Sequence, residues 1–159
     1  MRMKKAIVFT VILALLAFAL FGCSRSYQYQ AADDEIKLVI QLDLKEDIGL
    51  LLIDYDVDGS EGSGGISNAD KSLIKHDELL DWTFDKKLLD IPEQADAVDL
   101  TIRFTVVTEY VDPNYEDIYP EQYKRPMDAI SLKAAFGETY FIAISGDKTN
   151  GYRAVLKEQ

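Results

Sequence analysis

The chain has 159 residues, of which 28 are Asp or Glu and 17 are Lys or Arg, giving a formal net charge of −11. That is one domain's worth of chain, long enough for a real hydrophobic core. A surface so acidic is repelled by nucleic acid and by anionic lipid, which excludes nucleic-acid binding and favours basic partners or divalent cations. A single cysteine, Cys23, excludes a disulfide framework and a cysteine-based zinc site.

Taken from its start, the chain opens with a short basic stretch, Met1 to Lys5, followed by an apolar run from Ala6 to Phe21. At ~1.5 Å per residue that run is too short to span a hydrocarbon core of roughly 30 Å comfortably. Basic then short apolar is the order of a secretory signal. Leu20-Phe21-Gly22-Cys23 closes the run and resembles the lipobox of bacterial lipoproteins. Phe21 is bulkier than the usual residue at its position. The resemblance implies removal of residues 1–22, a thioether-linked diacylglyceryl group on Cys23 and further acylation such as palmitate. Cys23 then becomes the mature N-terminus of a protein tethered on the outer side of a cell membrane, or to an outer membrane where one exists. Two or more acyl chains at ~0.8 kcal/mol per buried CH₂ anchor stably, whereas one is marginal. Loss of Arg2, Lys4 and Lys5 with the signal leaves 14 cationic side chains against 28 acidic ones, a formal charge of −14.

Residues 23–35, with the polar run Ser24 to Glu35, read as a lipidated cysteine and flexible tether. Residues 36–159 read as the folded domain. Ile36, Leu38, Ile40, Leu42 and Leu44 alternate with more polar positions, a half-buried strand. After a turn at Lys45 to Gly49, Leu51, Ile53, Tyr55 and Val57 form a second inward row, with Asp54, Asp56 and Asp58 facing the other way. Gly59 to Gly65 reads as a mobile glycine-rich connection. Gly64-Gly65-Ile66-Ser67-Asn68-Ala69-Asp70 is similar to a stretch in uncharacterised small secreted bacterial domains, a likeness that implies no activity.

Leu80, Trp82 and Phe84 predict a third strand. A helix over Asp77 to Leu89 fits the i, i+4, i+8 spacing of Leu80, Phe84 and Leu88, but the aromatic and β-branched content favours the strand. Ile91 to Gln94 breaks the chain. Val98, Leu100, Ile102, Phe104 and Val106 give the clearest strand of all. Ile130, Leu132, Ala134 and Phe136 give another, which Gly137-Glu138 turns into a hairpin partner carrying Tyr140, Ile142 and Ile144. Gly146 to Gly151 turns into the last row, Tyr152, Ala154 and Leu156. About seven strands at this spacing predict a single antiparallel β-sandwich of immunoglobulin-like arrangement.

Three features are candidates for chemistry. His76, the sole histidine, lies among charges with no nucleophile motif nearby, so it reads as a solvated side chain and the chain as non-enzymatic. Asp54, Asp56, Asp58 and Gly59 match the opening of an EF-hand calcium loop, but Gly65 stands where that loop needs a bidentate Glu. Calcium is then the one cofactor to consider, and the plainer reading has the three aspartates on the solvent face of a strand, opposing edge-to-edge pairing. Asp112 to Pro126 holds three of the four prolines and Tyr115, Tyr119 and Tyr123, a long loop with rigid amphipathic contact area for a ligand.

These features predict an envelope lipoprotein whose domain binds a protein or glycan partner without catalysis. Charge and location also admit an acidic inhibitor that protects the envelope from a basic enzyme, and the aspartates admit a calcium-stabilised adhesion or scaffold module.

Overall fold

A computed structural model describes residues 29–158. Cys23, the signal segment 1–22 and the first part of the tether lie outside the described residues. Among the described residues nine strands follow in order: β1 (Glu35–Leu44), β2 (Leu50–Val57), β3 (Ser60–Ile66), β4 (Leu79–Asp85), β5 (Ala97–Val107), β6 (Lys124–Pro126), β7 (Ile130–Ala135), β8 (Thr139–Asp147) and β9 (Gly151–Leu156). A 3₁₀ turn, Glu121–Tyr123, precedes β6. The strands form a β-sandwich of two sheets, one ordered β4-β1-β8-β9 and the other β3-β2-β5, with β6 and β7 both pairing the far side of β5.

The inward rows expected from alternation form the core. Leu38, Ile40 and Leu42 of β1 face Ile53 of β2 and Leu100, Ile102 and Phe104 of β5 across the sandwich, all nearly inaccessible to solvent. Each such side chain contributes roughly 1.5–3 kcal/mol by leaving water. The strand alternative holds over the helix at Leu80, Trp82 and Phe84: β4 pairs antiparallel with β1, from Glu35↔Asp85 to Gln41↔Leu79.

Five expectations change. First, Gly59 to Gly65 is not a mobile connection. Val57 pairs with Ser60, so the turn is only Asp58-Gly59, with φ of 51° and 86°, and Ser60 onward is β3, paired with β2 as far as Leu51↔Ile66. Two central residues at positive φ make a two-residue hairpin turn whose twist suits the flanking strands, and Asp-Gly is a favoured pair there. Second, Gly137-Glu138 does not join hairpin partners. β7 belongs with β5 and β8 with β1, so this link crosses between sheets. Gly137, at φ 82°, donates its N–H to the Glu35 carbonyl at 2.8 Å, and the Glu138 carbonyl accepts from Lys37 at 3.1 Å. Third, one pair departs from the antiparallel rule: β1 and β8 run parallel from Lys37↔Thr139 to Leu44↔Gly146.

Fourth, the strand count rises from about seven to nine. β3 is one addition. The other, β6, continues the same edge as β7: Thr105 pairs with Pro126 and Ile102 with Ile130, so two residues of β5 oppose three, Met127 to Ala129. This is a β-bulge in one edge strand. Fifth, order begins before Ile36. The Ala31 N–H donates to the Thr139 hydroxyl at 3.1 Å, that hydroxyl bonds the Tyr29 carbonyl, and Ala31 is buried.

The chain therefore enters beside the starts of β1 and β8. The end of β4 and the Asp58-Gly59 turn lie at that same end of the sandwich. The opposite end carries the start of β2, the end of β3, the 3₁₀ turn and the segment between β3 and β4.

Candidate functional site

The outward face of the β3-β2-β5 sheet carries two adjoining hollows, of about 530 and 520 Å³, which share Asp54 and Ser63. The first lies at the end remote from chain entry, under the segment between β5 and β6. Its floor is Leu52 and Thr105, and its walls include Asn68, Lys71, Tyr115 and Tyr119. The second lies along the middle of the face, between Asp54, Asp56, Glu61 and Arg103.

The roof of the first hollow is organised by Asp112. Its side chain is buried, and it accepts N–H groups from Asn114 at 2.9 Å, Glu116 at 2.8 Å and Ile118 at 3.3 Å. Burial pushes the carboxyl up, but the backbone donors outweigh it and hold Asp112 below the usual carboxylate range. This winding sets Tyr115 and Asp117 at φ of 58° and 55°, conformations uncommon for residues with a side chain. Sequence reasoning missed Asp112: an aspartate preceding Pro113 reads as one more turn residue until its three donors are seen.

The tyrosines do not act as a set. Tyr115 is 69% exposed, with Lys71 Nζ 4.9 Å from its ring centroid, and that ammonium also donates to the Pro113 carbonyl at 2.9 Å. Tyr119 lines the hollow, its hydroxyl donating to Asp117 at 3.1 Å. Burial first, then the Asp117 carboxylate, pushes its pKa up to about 12. Tyr123 turns aside, stacking on Tyr110 with centroids 6.0 Å apart, while Tyr110 meets Tyr119 edge-on at 6.5 Å. Tyr110 was unread in the sequence because it stands alone, outside any run of aromatics. Tyr115 and Tyr119 thus line the hollow, whereas Tyr123 packs beside it on Tyr110.

The aspartates of the calcium reading are separated. Asp54 and Asp56 project from β2, Asp56 also accepting the Gly59 N–H at 2.8 Å. Asp58 sits in the turn, where its carboxylate accepts the Asp99 N–H at 2.8 Å. Among the described residues no three acidic, histidine or cysteine side chains are grouped to hold a metal ion. His76 is not merely solvated: Asp47 accepts its Nδ1–H and its backbone N–H, both at 3.0 Å, and takes Lys75 Nζ at 2.7 Å.

No protein-family model matches this chain. No curated protein matches it either. Among solved structures it is similar to intermedilysin, in a complex with human CD59, at 10% identity over 77% of this chain and 24% of that one, with a TM-score of 0.39. It is similar to a non-hemolytic pneumolysin from Streptococcus pneumoniae at 8% identity over 79% and 24%, TM-score 0.39. A protein from Eubacterium rectale aligns at 12% identity over 86% and 97%, TM-score 0.37. The chain spans about a quarter of the length of intermedilysin and of the pneumolysin. At these values the likeness extends to neither family nor activity.

Proposed function

We propose that this protein is a lipid-anchored envelope protein whose β-sandwich is a non-enzymatic binding module, taking a protein or glycan partner in the hollow under the Asp112 segment. The observation that carries the reading is position. The chain enters the sandwich at Tyr29, beside Thr139, and the hollow lies at the other end. A ten-residue strand such as β1 is about 33 Å long at ~3.3 Å per residue. A domain tethered through Cys23 would hold the hollow about that far from its anchor, facing away from the bilayer.

The lining supports a ligand with both polar and ring-stacking surface: Tyr115 and Tyr119 offer ring area, while Asn68, Ser63 and Asp54 offer hydrogen bonds. The test has two arms. Full-length protein partitions with membranes and Cys23→Ala protein does not. A soluble form beginning at Ser24 cosediments with isolated cell envelopes, and Tyr115→Ala with Tyr119→Ala reduces that binding. Membrane partition of the Cys23→Ala protein overturns the anchor, and unchanged cosedimentation of the double variant overturns the hollow.

A further inference from the structure

The open edge of β3 has the properties of a docking strand. Its pairing direction follows from one bond. The Asp58 N–H donates to the Asp99 carbonyl at 3.0 Å, so the even-numbered residues of β2 direct their backbone groups at β5 and the odd-numbered ones at β3. In β3, Glu61, Ser63 and Gly65 oppose Asp56, Asp54 and Leu52. Their N–H and C=O groups therefore point away from β2. Among the described residues nothing outside the β2 ladder hydrogen-bonds to β3.

The other edges are blunted. The β6–β7 edge has Lys124, Arg125, Pro126, Lys133 and the bulge, β4 has Asp81 and Asp85, and β9 has Arg153. Such devices normally stop a sheet from adding strands. β3 reads Ser-Glu-Gly-Ser-Gly-Gly-Ile, with one charge, no proline and no bulge. Three glycines leave its edge free of bulky side chains.

Charge selects the occupant. Asp56 and Glu61 are directly opposite each other across β2 and β3, a like-charge pair that destabilises a hairpin. Asp54 lies on the same face. Arg103, the cation nearest in register, forms no ion pair with any described residue. A second copy of β3 added at this edge would align two such acidic rows along one seam. A strand carrying lysine or arginine at alternate positions would neutralise the row while filling the open backbone bonds.

We infer that the β3 edge adds a basic, extended peptide segment of a partner protein as a further strand of the sheet, its cations facing Asp54, Asp56 and Glu61. This is strand addition, in which main-chain bonds supply affinity and alternate side chains supply selectivity. The edge shares Asp54 and Ser63 with the Tyr115–Tyr119 hollow but not its tyrosines, so Tyr115→Ala with Tyr119→Ala should leave binding at the edge unchanged.

The test uses the soluble protein from Ser24 and two synthetic peptides, one alternating lysine with valine and one alternating glutamate with valine. The lysine peptide is expected to bind, to slow amide exchange at Glu61, Ser63 and Gly65, and to weaken with salt. Ser63→Pro removes an edge N–H that β2 does not use, so the ladder to β2 survives. It should weaken the lysine peptide by about tenfold or more. Glu61→Lys, which leaves the backbone intact, should weaken it similarly and stands in if Ser63→Pro does not fold. Absent amide protection, equal binding of the glutamate peptide, or self-association through β3 in place of peptide binding would each overturn the inference.

Discussion

The ring of Tyr55 lies against the backbone of Gly62, its cross-strand partner: a Cβ built on Gly62 would stand 2.4 Å from the ring's Cζ. Gly64 stands in the same relation to Trp82, with a Cβ 2.4 Å from the indole Cη2. Both rings meet Phe84 edge-on, Tyr55 at 5.0 Å and Trp82 at 6.5 Å. Gly62 and Gly64 are thus an inner row of β3 that aromatic side chains cover, which compensates a glycine-rich edge for its missing side chains.

It follows that Gly62→Ala and Gly64→Ala destabilise by about 1–3 kcal/mol each, the range for overpacking a filled site. Thermal melts measure this. Gly65→Ala is expected to be milder, since its Cβ meets the Leu51 carbonyl at 3.2 Å and a Leu52 methyl at 3.4 Å. A Gly62→Ala penalty that persists in a Tyr55→Ala background would show that the ring is not its cause.

Calcium is expected to leave the melting temperature unchanged. Asp58 is committed to the Asp99 N–H and Asp56 to the Gly59 N–H, which leaves Asp54 and Glu61 on the strand face, fewer oxygens than calcium takes. A ligand that binds the native state raises its stability through mass action. A melting temperature that rises with millimolar calcium and falls with chelator would revive the metal reading.

Asp112 controls the roof of the hollow. Its folded pKa is depressed, so its contribution is complete above the ordinary carboxylate range, near pH 4, and is lost as pH falls through the folded value. Asp112→Ala deprives Asn114, Glu116 and Ile118 of their acceptor at every pH. Amide exchange at those three positions should quicken by about tenfold or more in the variant, while exchange in β5 stays as it was. Wild-type protein should acquire the same signature only in acid.

The period-two rows were legible because every inward position of β1, β2 and β5 faces one core, and alternation reports that directly. β3 was not, because its inner positions are Gly62 and Gly64, which carry no hydrophobic signal; the rings that fill them belong to Tyr55 and Trp82. Asp58-Gly59 was the available clue, and it was read as the end of a strand and the start of a mobile connection rather than as a hairpin turn. The Gly137-Glu138 link failed for a different reason. Hairpin and inter-sheet arch can share the same turn residues, and only long-range pairing separates them. The tyrosines of 112–126 were found by composition, but their division into hollow-lining and supporting positions depends on Tyr110 and Asp112, whose partners are set by tertiary contacts.

His76 offers a clean titration, being the only histidine. The Asp47 carboxylate raises its pKa, with Asp77 adding to the effect, while burial and Lys75 oppose it. Asp47 in turn is held well below the usual carboxylate range by Lys75 and His76. The raised histidine contributes fully below its ordinary pKa of about 6.5, and that contribution disappears as pH rises through the folded value. The depressed aspartate contributes above about pH 4 and is lost as pH falls through its folded value. The two windows overlap in mildly acidic solution, where this contact is at its strongest. It fastens the crossover between β1 and β2 to the segment before β4, next to the Ile48–Ile74 bridge, whose N–H groups donate at 3.0 and 2.8 Å. NMR titration should place the His76 midpoint above 6.5 in the wild type. Asp47→Asn should return it toward the ordinary value and quicken amide exchange at Ile48 and Ile74. A midpoint that does not move in Asp47→Asn would mean that the contact does not govern the histidine.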